Sequence, residues 1–425
     1  RGAGDGGAPA LEPPAAAGAA RIRVCAGDVF DPVLVAADVL RSGSSELLVG
    51  CGDSFSLLSV EPSGEGTRVS RVARFSLAQG PPGTEARARD VAAGDIDMDG
   101  RVDLLFGFVL LRPGAGGPQG GALDWVGRAP NSGFTPGQRL APIAATRVAL
   151  AELDGNPGAD PVALNATDPH GRRLSEVWIF GGGASPERLA KPSVGRGGLD
   201  FALLDLDGDD HLDLAALSYE APRLTLFFGD GAGNFEGPTA LALAGGTRLT
   251  VGMRQPSDSS ADSRELLISG GSWSRVTPGV REELQVEPWT FSDPTRAARV
   301  EGLARLVSDG DIGMLGLSGH DVVSPLSETG SERISLRVLR SFPPSFLPLV
   351  FVTGELDGQR GVDLAALGRG TAPDAPLELV IISDFLFDAP GSRGDAGAMP
   401  DPAIVLAPTL SPLKDAPLSL RVALP

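Results

Sequence analysis

Aspartates at alternate positions mark two short stretches of this 425-residue chain. Residues 94–108 read GDIDMDGRVDLLFGF and residues 205–218 read DLDGDDHLDLAALS, with an apolar run directly after each acidic loop. Both loops carry carboxylates at positions 1, 3, 5 and 9, a spacing that we call the acidic frame. Because four carboxylates in one small loop repel each other unless a cation neutralises them, the spacing indicates a metal site.

Calcium is the cation that suits this spacing best, since Ca²⁺ takes about six to eight hard oxygens and Mg²⁺ prefers to keep several waters. Side chains at positions 1, 3, 5 and 9 and the backbone carbonyl at position 7 can supply these oxygens. The ligands expected in the first loop are Asp95, Asp97, Asp99, the carbonyl of Arg101, and Asp103. Those expected in the second loop are Asp205, Asp207, Asp209, the carbonyl of His211, and Asp213.

An acidic hairpin turn without a metal is the alternative, because Asp-Gly is also common turn chemistry. An EF-hand loop is excluded. It requires a Glu at position 12 between two helices, whereas position 12 counted from Asp95 is Phe106 and both flanks have strand-like patterns.

Two further frames are partial. The loop at 152 offers oxygens from Glu152, Asp154, Asn156 and Asp160, but Pro157 alters the turn, so that metal binding and a bare turn both stay open there. For the loop at 355, binding is favoured even though Gln359 is neutral, with ligands from Glu355, Asp357 and Asp363. The eroded frames near 38, 253 and 308 are expected to be free of metal.

The frames recur with a fixed period, starting near residues 38, 95, 152, 205, 253, 308 and 355, on average about 53 residues apart. Within one period, short apolar or alternating runs are separated by Gly, Asn and Asp turns, which is typical of β-hairpins. Four such strands per period predict an all-β, seven-bladed β-propeller of four-stranded antiparallel blades over residues 22–425. Residues 22–30 and 417–424 are expected to pair with the terminal blades and close the ring. Residues 1–21 are expected to form a flexible linker.

The frames followed by a short strand and a Gly turn resemble FG-GAP repeats, also called VCBS repeats, over roughly residues 30–410. The resemblance implies the calcium-binding propeller that heads integrin α-subunits and many bacterial surface proteins. It thereby implies a secreted protein with a role in cell adhesion. Only the frames at 95 and 205 carry strong motifs. Asp210 stands where the family prefers Gly, so the second loop is strained unless Asp210 tolerates a left-handed conformation.

The composition limits the classes of binding partner and the cellular locations to be expected for this chain. The net charge of −18 argues against nucleic acid, which requires clustered Lys and Arg. No apolar run approaches the roughly 20 residues of a transmembrane helix. Cys25 and Cys51 flank one predicted strand pair and are expected to form a disulfide, with two free thiols as the alternative. A signal peptide or lipid anchor removed upstream would fit an extracellular, periplasmic or cell-surface location, and a truncation would look the same.

The sequence offers no catalytic set. The three histidines His170, His211 and His320 lie in separate segments, and no nucleophile elbow, phosphate loop or zinc motif is present. The triplet Arg393-Gly394-Asp395 resembles the integrin-recognition tripeptide, but chance explains it better in a chain rich in these residues. A lectin is unsupported, because the aromatic candidates fall at different phases of the repeat: Trp125, Trp178, Trp273, Trp289 and Tyr219. Trp178 falls within a strand, where core packing is expected.

These observations favour a non-catalytic interaction or adhesion module that binds a protein or glycan at the cell surface. One alternative is an extracellular hydrolase or lyase that uses the propeller face. Another is a structural subunit of a surface assembly.

Overall fold

The computed structural model describes residues 22–25, 32–63, 66–115, 117–130, 133–166, 174–219, 223–243, 245–253, 264–270, 273–297, 300–308, 311–327, 333–358, 362–370, 372, 375–382 and 418–419. Several sequence-based expectations lie outside these residues. They concern the linker at 1–21, His170, Gln359 and the triplet at 393–395.

The strands form seven sheets of four or five strands each. The first strand is β1, Ile22–Arg23. Blade 1 contains β2 Val33–Ala37, β3 Glu46–Cys51, β4 Ser54–Ser63 and β5 Gly66–Ser76. Blade 2 contains β6 Glu85–Gly94, β7 Asp103–Leu111, β8 Pro118–Val126 and β9 Gln138–Ala141. Blade 3 contains β10 Ala145–Ala151, β11 Asp160–Asn165, β12 Leu174–Phe180, β13 Arg188–Ala190 and β14 Ser193–Arg196.

The second half repeats this plan. Blade 4 contains β15 Gly198–Leu204, β16 Asp213–Ser218, β17 Arg223–Gly229 and β18 Phe235–Ala242. Blade 5 contains β19 Arg248–Met253, β20 Arg264–Ser269, β21 Ser274–Val276 and β22 Glu287–Pro288, with a 3₁₀ turn at Arg281–Glu283. Blade 6 contains β23 Thr290–Phe291, the short helix α1 Pro294–Ala297, β24 Val300–Ser308, β25 Asp311–Ser318, β26 Asp321–Ser327 and β27 Arg333–Ser341. Blade 7 contains β28 Phe346–Gly354, β29 Asp363–Gly370 and β30 Leu377–Ile382, and the last strand of the chain is β31 Leu418–Ser419.

The seven sheets form a closed ring, so the chain is a seven-bladed β-propeller and the predicted fold class is confirmed. The first strands of successive blades contact one another around the ring, and the contact between β28 and β2 completes it. Short strands near both ends of the chain take part in the terminal blades. Ile22 pairs with Leu379 as the outer strand of blade 7, and Leu418 pairs with Phe75 in parallel on blade 1.

Apolar side chains fill the gaps between the blades. Seven clusters among the described residues each join two neighbouring blades, including one that joins blade 7 to blade 1. The second strand of a blade is covered on both faces. In β16, for example, all six residues are buried. A strand buried on both faces needs a continuous apolar run, which explains the Leu- and Ala-rich segment after each acidic frame.

Candidate metal centre in the acidic loops

The acidic frames connect the first strand of a blade to its second strand. They therefore lie at one end of each blade and together occupy one end of the ring. Position 9 is the first residue of the second strand in five blades, where an acidic residue is buried: Glu46, Asp103, Asp160, Asp213 and Asp363. Position 2 is a buried apolar residue in the same five blades: Val39, Ile96, Leu153, Leu206 and Leu356.

The loop at 95 brings three of its expected ligands together. One carboxylate oxygen from each of Asp95, Asp97 and Asp99 lies within 4.8 Å of the others. Oδ2 of Asp95 accepts the Gly100 amide at 2.9 Å, whereas Oδ1 is buried and has no hydrogen-bond partner among the described residues. Burial, aided by the neighbouring carboxylates, raises the pKa of Asp97. The loop therefore presents an unused acceptor within a crowded set of negative charges.

Asp103 stands at the base of this loop, outside the group of three. Its Oδ2 accepts the amides of Ile96 at 3.0 Å and Asp97 at 3.4 Å, and its Oδ1 accepts the amide of Arg128 at 3.0 Å. The carboxylate thereby fastens its own loop to the end of the third strand. The backbone carbonyl of Arg101 is the other expected ligand, and the Arg101 side chain forms an ion pair with Asp99.

The loop at 205 repeats this arrangement. One oxygen from each of Asp205, Asp207 and Asp209 lies within 4.8 Å of the others. Asp213 accepts the amides of Leu206 at 2.7 Å and Gly229 at 2.9 Å. Its pKa is raised to about 6, chiefly by burial and secondarily by the charges of Asp207 and Asp209.

The backbone of both loops turns in the same way. Positions 4 and 6 are left-handed in each, with φ of 63° at Met98 and 79° at Gly100, and of 82° at Gly208 and 67° at Asp210. Asp210 thus adopts the left-handed conformation that glycine has at the equivalent position of the first loop. Its amide donates to Asp205 at 3.0 Å, just as the Gly100 amide donates to Asp95.

An arginine from the next blade contacts the loop at 205. The guanidinium of Arg281 forms an ion pair with Asp207, reaches Asp209 at 3.7 Å and lies 4.5 Å from the ring centroid of Phe228. The hydrogen bond to Asp207 raises the pKa of Arg281. Part of the negative charge of this loop is therefore already compensated. Sequence reasoning missed Arg281, because it lies 74 residues from Asp207 and outside every frame.

The partial frames keep the buried acid but lack the group of three. In the loop at 152, Asp160 accepts the amides of Leu153 at 2.7 Å, Asp154 at 3.2 Å and Gly182 at 2.6 Å, while Glu152 and Asn156 are exposed. In the loop at 355, Asp363 accepts the amides of Leu356 at 2.8 Å and Asp357 at 3.2 Å, and Glu355 is exposed. Within the described ranges, only the loops at 95 and 205 hold three clustered carboxylates.

The eroded frame at 38 preserves the same backbone without the inner carboxylates. Asp38 accepts the amides of Ser42 at 2.8 Å and Gly43 at 3.2 Å, and Glu46 accepts the amide of Leu40 at 3.0 Å. Position 1 and position 9 therefore support the loop fold even where no group of three carboxylates exists.

Several of the remaining candidates make structural contacts, whereas Tyr219 is exposed. Cys25 and Cys51 form a disulfide with 5.7 Å between their Cα atoms. Nδ1 of His320 lies 2.7 Å from the carbonyl oxygen of Phe346. Trp178 lies in β12, where it packs against the core between blades 2 and 3 and beneath Arg188, as expected for a packing residue. Trp273 stacks on Trp289 with 5.7 Å between ring centroids.

The comparisons with known proteins assign no family to this chain. No family model matches the sequence, and no curated protein matches it. Among solved structures, the chain is similar to that in the crystal structure of BBS1N in complex with ARL6DN, soaked with lead. The TM-score is 0.49 at 10% identity over 85% of this chain and 97% of that chain. At this level the similarity carries no conclusion about function, and the propeller assignment rests on the strand pairing itself.

Proposed function

We propose that the loop at 95 binds Ca²⁺ and that the loop at 205 is a second, weaker calcium site. The observation that carries this proposal is the buried Oδ1 of Asp95, which lacks a hydrogen-bond partner in the described structure and lies beside two further carboxylates. A buried acceptor without a partner is unfavourable, and a bound cation would supply the missing interaction. The oxygen-only set of carboxylates and carbonyls is the donor chemistry that Ca²⁺ selects.

The two loops differ in how much charge is left for a metal. At 205, Arg281 pairs with Asp207, so a cation must displace or share this partner. At 95, the basic partner among the described residues is Arg101 of the same loop, which pairs with Asp99 and leaves Asp95 to the metal. We therefore rank the loop at 95 first. The loops at 152 and 355 would bind more weakly, because each lacks a group of three carboxylates among the described residues.

We further propose that the chain is an FG-GAP-type interaction module that acts outside the cell and binds a protein or a glycan at a cell surface. Calcium at the frames would lock the hairpins that join the first two strands of the blades. Loops held on such a rigid ring are well placed for recognition. No helix in the described residues is long and apolar enough to span a membrane.

Thermal unfolding in calcium and in chelator, with metal analysis of the purified protein, tests the calcium proposal. One site at a hundredfold excess of Ca²⁺ over its Kd adds about 2.7 kcal/mol to the free energy of unfolding. We expect a calcium-specific rise in the unfolding temperature that Asp95→Asn reduces.

Asp38→Asn is the matched control. Asp38 occupies the same position of its frame and accepts the amide at position 6 as Asp95 does, but it has no group of three carboxylates around it. Its replacement should leave the response to calcium unchanged. An equal loss in both variants, or no response in the parent protein, would reduce the aspartates to turn residues.

Binding of the labelled chain to the surface of the cells that produce it tests the interaction role. Saturable binding in calcium that is lost in chelator and in Asp95→Asn is expected. Binding that is absent in calcium, while the metal response of the unfolding temperature persists, would refute the adhesion role and leave the calcium site standing.

A further inference from the structure

A cavity of about 400 Å³ lies on blade 1 at the end opposite to its acidic frame. The frame connects β2 to β3, whereas the turn from β3 to β4 lines the cavity, and successive turns of an antiparallel sheet lie at opposite ends. The disulfide between Cys25 and Cys51 forms part of the wall. The start of β6 in blade 2 forms another part, so the cavity joins two blades.

Three arginines line this cavity in a chain whose net charge is −18. Arg87 is neutralised by Glu85, with 2.6 Å between Nη2 and Oε2. Arg74 donates from Nη2 to the hydroxyl of Ser54 at 3.3 Å. Nε of Arg71 is buried and has no hydrogen-bond partner in the described part of the chain. Two guanidinium groups are therefore left without a carboxylate partner among the described residues.

The remaining lining residues add hydrogen-bonding groups and one further carboxylate, that of Asp53. Ser54 and Ser56 are 5% and 8% exposed and lie on the wall formed by β4. Asp53 is exposed, and Gln79 contributes an amide. A buried donor without an acceptor is unfavourable until an acceptor reaches it. Guanidinium groups form paired hydrogen bonds with carboxylates and phosphates.

We propose that this cavity binds a small organic anion whose carboxylate or phosphate group is held by Arg71 and Arg74. The volume lies in the range of about 300–1,000 Å³ in which proteins hold small ligands. The Cys25–Cys51 disulfide shapes the site by fixing the chain that arrives from β1 against the β3–β4 turn. The site is separate from the acidic frames, so its occupation does not depend on calcium.

Isothermal titration calorimetry of the full chain tests the proposal. The probes are succinate and inorganic phosphate, at constant ionic strength and with chloride as the reference anion. We expect saturable binding at one site, equal in calcium and in chelator. Arg74→Gln should weaken it about tenfold to a hundredfold, the loss typical of a charge-assisted hydrogen bond. Arg74→Lys should restore only part of the affinity, because lysine keeps the charge but not the planar fork.

Arg41→Gln is the control. It removes the same charge from an exposed arginine of the same blade, in the acidic frame at the other end. Binding of succinate alone assigns a carboxylate ligand and binding of phosphate alone a phosphate ligand, and either result supports the site. Absence of binding to both probes at about 10 mM, a concentration well above the Kd of ordinary ligand sites, overturns it. Equal weakening by Arg74→Gln and Arg41→Gln also overturns it, since only long-range charge would then be acting.

Discussion

Replacement of the buried acid at position 9 by alanine should be among the most destabilising single changes in a blade. Asp160 is fully buried, and its carboxylate accepts three backbone amides at 2.7, 3.2 and 2.6 Å, two from its own loop and one from Gly182 beyond the third strand. Asp160→Ala leaves three donors without an acceptor, at about 1–3 kcal/mol each. Burial raises the pKa of Asp160, so the carboxylate itself carries a cost that the substitution removes. The expected net loss is about 2–4 kcal/mol.

Urea unfolding in the presence of a chelator, followed by tryptophan fluorescence, measures this loss without a contribution from bound metal. Asp154→Ala in the same loop is the control. Asp154 is only partly buried and accepts one amide, that of the exposed Asn156, at 2.9 Å, so its removal should cost less than about 1 kcal/mol. A loss below about 1 kcal/mol for Asp160→Ala would refute the view that the buried acid fastens the loop.

Three further outcomes are expected. Burial raises the pKa of Asp200 to about 6, although Arg147 lies 3.2 Å away. The protonated form stabilises the fold at low pH, and the free energy of unfolding should fall by about 2–3 kcal/mol as pH rises through 6. Asp200→Asn should therefore flatten the pH profile of urea unfolding. Arg281→Met frees Asp207 and should raise the calcium affinity of the loop at 205 about threefold, measured by calorimetric titration in the Asp95→Asn background. An unchanged affinity would mean that the Arg281–Asp207 pair does not compete with the metal. Asp210→Gly should raise the unfolding free energy in chelator by about 0.5–1 kcal/mol by relieving the left-handed backbone, and a loss would mean that the side chain stabilises the loop.

The sequence was sufficient to predict the blades because their signals are local. A period of about 53 residues, with short apolar runs between turns, already contains the four strands of a blade. The buried acid at position 9 was recognised by its spacing. Its role as an acceptor for backbone amides was not, because spacing alone does not tell a metal ligand from a hydrogen-bond acceptor. The apolar residue at position 2 was an available signal, since its burial repeats in five blades.

Contacts between distant segments could not be derived in the same way. Asp90 and Asp200 occupy the same place in the first strands of blades 2 and 4. Arg147 interacts electrostatically with both carboxylates and thereby offsets the repulsion between them. Each of these acids also accepts an amide from the next blade, Val148 for Asp90 and Leu249 for Asp200. Which side chains of neighbouring blades come into contact depends on the rotation between the blades, and no local sequence pattern encodes that rotation.

By itself, the sequence determined the number of blades, their strand order and the position of the acidic loops, because hydrophobic alternation and turn residues act over a few neighbours. Only the tertiary structure decided which charges meet. The packing of blade 5 against blade 4 brings Arg281 to Asp207 across 74 residues. Ring closure brings Cys25 from blade 7 to Cys51 of blade 1, beside Arg71 and Arg74 in one cavity. Those encounters arise from packing seven sheets around a common axis, and their energetics depend on burial and distance, which a linear pattern does not contain.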